Sequence, residues 1–240
     1  MLRFECLPAE VQDCVQMTES RALLLIADIG GYTKYMSLHR MSLAHAQANV
    51  ARLLEAVIDA AADELELVDV EGDAVFFSRE ADGDPARTAT DAALAMHRAF
   101  HREQRLVVAN LCPCEGCGRA GELTLKFVAH AGAVVTQTVR NRKTLVGPDV
   151  ILVHRLLKNA VPVTEYVLFS EALEPGGGAT PLVHQIEGLG QVQTSFLDLA
   201  KLLDDLPPEP SVPRRLGETL RVLGRGMPYL LRLKHLPAPA

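Results

Sequence analysis

The chain has no tryptophan and only 5% aromatic residues, so its core has to be built mainly from aliphatic side chains. It also lacks long apolar runs. Stretches such as Ala22–Ala27 and Val163–Phe169 stop, or are broken by polar residues, far short of the roughly 20 residues that a spanning helix needs. Positive charge is in deficit, with 24 Lys and Arg against 30 Asp and Glu and a net charge of −6. A general nucleic-acid surface needs clustered positive charge, so that function class is excluded, whereas a small anionic ligand held by local cations is not. The N-terminus carries Glu5, Glu10 and Asp13 and has no basic start followed by a sustained apolar stretch. It does not read as a signal peptide, and a cytoplasmic location is the expectation. Cysteine is scarce: Cys6, Cys14, Cys112, Cys114 and Cys117 make an odd set. Without a secretion signal, reduced thiols or a metal site are expected rather than disulfides.

What remains is the composition of an ordinary folded protein, 48% apolar and 22% charged over 240 residues. That length fits one domain with extensions and buries a sizeable core without staples. Residues 1–20 are weakly periodic and read as an N-terminal extension. Arg21–Ile29, RALLLIADI, reads as a buried central strand that delivers Asp28 to its carboxyl end, with Gly30 and Gly31 making a tight turn. From Ser42 onward Ala46, Val50, Leu53, Leu54, Val57, Ile58 and Ala61 recur at helical spacing. LELVDV and AVFFS, separated by Glu71, Gly72 and Asp73, predict a β-hairpin with Asp73 at its tip. Pro85–Arg102 predicts a second helix, opened by proline and striped by Ala89, Ala92, Ala93, Met96 and Phe100.

Residues 110–122 hold three cysteines, three glycines and a proline, and read as a loop or knuckle inserted before the next strand. LTLKFVAHAGAVVTQ predicts a strand pair bent at Gly132, and Pro148–Lys158 a helix with Val150, Val153, Leu156 and Leu157 on one side. YVLFS and VQTSF give later strands. The order of elements describes an α/β (α+β) sandwich over residues 21–206, a ferredoxin-like arrangement whose mainly antiparallel sheet is covered by helices on one face. Residues 207–240 are a proline linker followed by a basic amphipathic tail. In Arg214–Lys234 six basic residues alternate with Leu216, Leu220, Leu223, Met227, Leu230 and Leu231. That pattern suits docking on a protein partner, folding back on the domain, or peripheral contact with an anionic surface.

ADIGGYT and EGDA each supply a carboxylate beside flexible backbone. Taken singly, Asp28 and Asp73 serve equally well as turn residues. Together their contexts carry a resemblance. LLLIADIGGYTKY resembles the first-strand motif of class III adenylyl and guanylyl cyclases, LVDVEGDAVFF their hairpin motif and FVAHAGAVV the strand that follows. LVGPDVILVHRLLKNA is similar to the stretch that carries their transition-state helix. The four matches occur in family order over roughly residues 20–170. The chain further resembles a divergent branch, a domain of unknown function, that joins IGGYT-like and EGDA-like motifs to a CPC-x-x-C loop, LKF-x-x-H-x-G and GPDVILVHRLLKN. The resemblance therefore implies a fold more firmly than an activity.

In the cyclases two aspartates bind two Mg²⁺ or Mn²⁺ ions that activate the ribose hydroxyl and steady charge on the α-phosphate of a nucleoside triphosphate. The resemblance assigns those roles to Asp28 and Asp73, with the Ile29 carbonyl as a third ligand and Gly30, Gly31 and Thr33 against the nucleotide. It places Arg155 as the transition-state arginine, supplied across a homodimer. The chain departs from the pattern elsewhere. Asp69 and Thr144 stand where base-selecting lysine and acidic residues are expected, Ile151 where an asparagine is expected, and Leu189 near the place of a late triphosphate lysine. Arg140, Arg142 or Lys143 are the alternative sources of phosphate charge. His130 and His154 read as structural histidines.

Cys112, Cys114 and Cys117 place three thiols in six residues, a spacing that suits a structural Zn²⁺ with a fourth ligand from His97, His101, His130 or a second subunit. A loop of thiols without metal is the plainer alternative. Three functions stand open at this point: a metal-dependent nucleotidyl cyclase, a nucleotide-binding module with degenerate catalysis, and an interaction protein working through the knuckle and the tail.

Overall fold

In this computed structural model residues 18–38, 43–109, 115–139 and 142–202 are described, with Pro213, Leu216, Gly217 and Leu220 of the tail. The elements are β1 (Thr18–Gly30), α1 (Tyr32–Leu38), α2 (Leu43–Ala61), β2 (Glu66–Glu71), β3 (Ala74–Glu80), α3 (Pro85–Ala109) and α4 (Glu115–Arg119). They continue with β4 (Thr124–Val139), β5 (Arg142–Val146), α5 (Pro148–Leu156), β6 (Tyr166–Ser170), β7 (Thr180–Ile186), β8 (Gly190–Asp198) and α6 (Leu199–Leu202). The strands make one eight-stranded sheet in the order β2-β3-β1-β4-β6-β8-β7, with β5 paired to β4. Among the described residues only β4 and β6 run parallel. The crossover between them carries α5, as a parallel connection requires.

Strand alternation sorts the core into two layers. Leu23, Leu25, Ala27 and Ile29 of β1 face one way, with Val75, Phe77, Leu125, Phe127, Ala129, Val167 and Phe169. Against them pack Val50, Leu53, Leu54 and Val57 of α2 and Ala89, Ala93, Met96 and Phe100 of α3. Each fully buried Phe or Leu here is worth about 1.5–3 kcal/mol over leaving it in water. The opposite face collects Leu24, Ile26, Phe76, Val128 and Leu168 under Val153 and Leu156 of α5. Helices therefore cover both faces, not one. The reason is that β1, β3, β4 and β6 are apolar at odd and even positions alike, so a second layer is needed to close the sheet.

Several elements differ in extent from the sequence reading. β1 begins at Thr18, three residues into the stretch read as an extension, because Thr18 to Ser20 continue the ladder with Thr136 to Val134. α3 runs on to Ala109. β7 and the short helix α1 carry too little apolar periodicity to be read from sequence.

β4 is one 16-residue strand, not a pair bent at Gly132. Gly132 pairs with Ala22 in register, and its glycine has a packing cause: a Cβ there would lie 2.1 Å from Asp149 Oδ2. That carboxylate accepts the Ala133 N–H at 2.6 Å, fixing the start of α5 against the strand. Among the described residues no helix is long and apolar enough to cross a membrane.

Candidate functional site

Asp28 is the penultimate even-facing residue of β1, opposite Ala74 of β3 and Lys126 of β4. Its side chain points to the α5 face because alternation from Leu24 and Ile26 puts it there. The β2–β3 turn is made by Gly72, at φ 70°, and Asp73. Ile29 N–H donates to the Asp73 carbonyl at 3.1 Å, so the strand end and the hairpin tip are tied by backbone. Lys126 Nζ lies 3.0 Å from Asp28 Oδ2. Burial pushes the Asp73 carboxyl above its ordinary value and the negative charge of Asp28 pushes it further, while a backbone hydrogen bond and Lys126 pull it down. The charge of Asp28 thus reaches Asp73. Tyr166 borders the same pocket of charge. Burial raises its phenol pKa, while its bond to Asn159 Oδ1 at 2.8 Å and the Lys126 charge oppose the rise.

Lys126 is the residue that sequence reasoning misses. Its signal is the register of β4 against β1, which no single motif contains. Gly30 pairs with Thr124, and a Cβ on it would fall 2.2 Å from the Thr124 hydroxyl; Gly31 follows at φ 84°. These two glycines let the chain turn tightly from β1 into α1, with Thr33 exposed in its first turn. Beside them a cavity of about 260 Å³ is lined by Gly31, Lys34, Tyr35, Glu122, Thr124 and Thr164 among others.

Other expected residues stand apart. Lys143 of β5 pairs with Thr138, twelve residues along β4 from Lys126, which is roughly 40 Å at the ordinary strand rise. A lysine cannot span that, so Lys143 is no part of a site built on Asp28 of the same chain. Arg140 and the Arg142 side chain lie outside the described residues. Arg155 donates to the Glu187 carbonyl in the β7–β8 turn, and Ile151, one turn earlier on α5, is 54% exposed. Asp69 Oδ1 accepts the Val70 N–H at 2.8 Å. His154 Nδ1 lies 2.8 Å from the Val150 carbonyl and its Nε2 3.1 Å from Glu71, with the ring edge-on to Phe76. His130 Nδ1 meets Ser170 Oγ at 2.6 Å, and its Nε2 faces Asp149 Oδ1 at 3.3 Å. Burial lowers the His130 pKa more than Asp149 raises it.

Cys117 of α4 is buried, with His45 Nε2 3.1 Å and Asn49 Nδ2 3.6 Å from its sulfur. Cys6, Cys14, Cys112 and Cys114 lie outside the described residues, as does most of the tail. The three histidines expected as partners of the thiols have other neighbours. His130 is on the opposite face of the sheet, and His97 and His101 converge on Glu165 at the entry to β6. Burial would raise the Glu165 pKa, but the close approach of His101 and His97 and the hydrogen bond from the Leu125 N–H hold it down at about 2. His45 is not singled out by sequence because it sits 72 residues from Cys117.

Solved structures with this arrangement include nucleotidyl cyclase domains. The catalytic core of a rhodopsin-guanylyl cyclase in complex with ATPalphaS is 18% identical, with a TM-score of 0.59 over 76% of this chain and 98% of that one. The adenylyl cyclase CyaB from P. aeruginosa is 16% identical, with a TM-score of 0.57 over 77% of this chain and 97% of that one. At such identities the likeness is one of fold. In sequence, residues 50–166 match the family described as "Protein of unknown function (DUF2652)". The uncharacterized protein Rv2561/Rv2562 of Mycobacterium tuberculosis is 38% identical over 197 residues, 77% of this chain and 90% of that protein. The chain belongs to the family of Rv2561/Rv2562, and it carries the fold of class III cyclase catalytic domains.

Proposed function

We propose that this protein binds a nucleoside triphosphate through a divalent cation held by Asp28 and Asp73. The observation that carries the reading is the Ile29 N–H bond to the Asp73 carbonyl at 3.1 Å, which ties the strand end bearing Asp28 to the hairpin tip bearing Asp73. Asp73 is held above its ordinary pKa by burial and by Asp28, an arrangement that costs stability and that a cation between them relieves. The donor set is two carboxylates with the Ile29 carbonyl at the same strand end, all oxygen, which suits Mg²⁺ or Mn²⁺ rather than a softer ion. Such ions, when bound, supply charge neutralisation at the phosphates and acidify the attacking hydroxyl. The chain's own part is positioning. Gly30 and Gly31 turn the backbone tightly beside Asp28, Thr33 stands exposed next to them, and Lys126 is a cation already on Asp28 that can move onto a phosphate oxygen.

Cyclisation on this site is attack of the ribose 3′ oxygen on the α-phosphorus. The bond to the bridging oxygen breaks, pyrophosphate leaves and the hydroxyl proton passes to solvent. Arg155 is engaged by Glu187 in its own chain, so it serves that step only by leaving that contact to reach the site of a partner copy in a homodimer. Ile151 supplies no hydrogen bond where the cyclases use an asparagine, and such a loss commonly costs about 10²–10³ in rate. These two observations favour a second reading, a module that retains nucleotide and metal binding with little or no turnover.

The test is to incubate the protein with each nucleoside triphosphate and Mn²⁺ or Mg²⁺, then analyse it by mass spectrometry. Bound nucleotide that EDTA removes supports the site, and cyclic product separates the enzyme from the module. No metal-dependent nucleotide binding by the wild-type protein would sink both.

For the cysteine loop we propose a structural Zn²⁺ on Cys112, Cys114 and Cys117, with His45 as the fourth ligand. The support is the three-thiol spacing and the approach of His45 to the Cys117 sulfur. Elemental analysis that finds no zinc in protein purified under reducing conditions would reject it.

A further inference from the structure

His97 and His101 stand one turn apart on α3, and both present Nε2 toward Glu165, which precedes β6. Their ligand atoms and the Glu165 carboxylate all lie within 4.8 Å of one another. The separations are 3.1 Å between the two Nε2 atoms, 2.9 Å from His101 to Glu165 Oε1 and 3.0 Å from His97 to Glu165 Oε2.

The hydrogen bonds around this triangle decide where its protons are. Gln104 Nε2 donates to the carbonyls of Ala120 at 2.8 Å and Leu123 at 2.6 Å, so its amide oxygen is the atom turned to His101 Nδ1, 2.8 Å away. His101 Nδ1 must therefore be the donor, and Nε2 of the neutral ring is a bare lone pair. That lone pair faces a carboxylate oxygen, itself an acceptor, and a second imidazole nitrogen. With both rings neutral, at most one proton, on His97 Nε2, is shared among three acceptors. His97 is 2% exposed, and its Nδ1 has no hydrogen-bond partner among the described residues. His101 and Glu165 are 14% and 17% exposed, so the group opens to solvent only narrowly. A cation is what the geometry is short of.

We infer that His97, His101 and Glu165 form a binding site for a zinc-class divalent transition-metal ion, distinct from the Asp28–Asp73 pair and from the cysteine loop. Two histidines at i and i+4 on one helix face are a recurring half of such sites, and a carboxylate completes a three-ligand set with one position for water. Ligands about 2.0–2.1 Å from a tetrahedral ion stand roughly 3.3 Å apart, so the triangle needs to open by only a few tenths of an ångström. Gln104 acts behind His101 as the group that fixes the ligating tautomer. Glu165 Oε1 also accepts the Leu125 N–H at 2.9 Å. The ion would thereby pin the middle of α3 to the starts of β4 and β6. These segments are joined in sequence only through the cysteine loop and α5. The alternative occupant of the triangle is a proton, giving a His101 imidazolium.

The test is ¹¹³Cd NMR of the full-length protein, stripped of metal and titrated with Cd²⁺. Thiolate-rich cadmium resonates far downfield of cadmium bound by nitrogen and oxygen, so the cysteine loop and this triangle give separate signals. The result expected is a nitrogen/oxygen-range resonance at one equivalent, absent from folded His101→Gln and Glu165→Gln and retained in Asp73→Asn. Zinc should displace it, and Mg²⁺ in large excess should not. Should either variant fail to fold, the wild-type spectrum still decides: the absence of a nitrogen/oxygen-range signal at saturating Cd²⁺ overturns the site and leaves the imidazolium. A signal that persists in folded Glu165→Gln overturns it equally.

Discussion

Replacing Asp73 with asparagine separates a functional carboxylate from a structural one, because the two readings predict opposite signs. Two carboxylates close enough to share an ion, about 5–6 Å apart, repel by about 3 kcal/mol at an effective dielectric of 20. Asp73 is only partly buried and Lys126 offsets some of the field, so the net cost is about 1 kcal/mol. The Asp73 pKa is raised on folding. Its ionisation therefore stabilises the unfolded chain relative to the folded one, and stability is lost as pH rises from the ordinary value of 3.8 through the folded pKa. At neutral pH, with EDTA present, Asp73→Asn should then be more stable than wild type by about 1 kcal/mol, or about 2–4 °C in Tm for a chain of this size. Removing one of two ligand charges should also weaken Mn²⁺-dependent nucleotide binding at least tenfold, about 1.4 kcal/mol. Thermal denaturation in EDTA and calorimetric titration with Mn²⁺ and nucleotide measure the two effects. A variant that melts earlier and binds nucleotide as wild type does would refute the reasoning, since Asp73 would then be a turn residue.

Lys126→Met should tighten binding of Mn²⁺ alone, because the ammonium 3.0 Å from Asp28 competes with the ion; unchanged or weaker affinity by calorimetry counts against that competition. Gly132→Ala should destabilise by about 2 kcal/mol, lowering Tm by about 4–8 °C, since the new Cβ meets Asp149 atoms at 2.1–2.6 Å. A Tm within 1 °C of wild type would show that α5 can shift freely. His130 has a lowered pKa from burial. The neutral ring is favoured in the fold, so its contribution is present above the ordinary value of 6.5 and declines as pH falls below it, until the folded pKa is passed. Denaturant titrations from pH 7.5 to 5 should show this loss in wild type and a flatter profile in His130→Gln; parallel profiles would assign the loss elsewhere.

Much of the architecture is local in origin and so could be read from sequence. RALLLIADI is apolar without a break from Ala22 to Ala27 and had to be a central strand, and EGD between two β-rich runs had to be a turn. What could not be read depends on register. Lys126 meets Asp28 only because Gly30 pairs with Thr124, and thirteen consecutive pairings carry that offset along β1 and β4. Lys143 stands far from Asp28 of its own chain for the same reason in reverse, since its partner Thr138 is twelve residues along the 16-residue strand from Lys126. The His97, His101 and Glu165 group combines an i, i+4 pair, visible on a helical wheel, with a residue 64 positions away. His45 beside Cys117 is likewise a product of α2 packing near α4. Covering helices were expected on one face, whereas α5, nine residues long, closes the other. It suffices because the strands beneath it are apolar on that face over only a few residues each.

The proposed metal chemistries are sorted by donor type and by position, and this keeps them from competing. Asp28 and Asp73 offer only oxygen on the α5 face of the sheet, where a hard ion keeps several waters and binds phosphate. His97, His101 and Glu165 offer two imidazoles from α3, which packs on the other face, and nitrogen donors favour zinc-class ions over Mg²⁺. An ion in the second site would hold α3 to the starts of β4 and β6. β4 is also the strand that sets Lys126 opposite Asp28. Stiffening the start of β4 through the Leu125 N–H bond to Glu165 therefore fixes the residue next to Lys126. The transition-metal site would thus act on the nucleotide site through one strand and one residue step, without sharing a ligand with it.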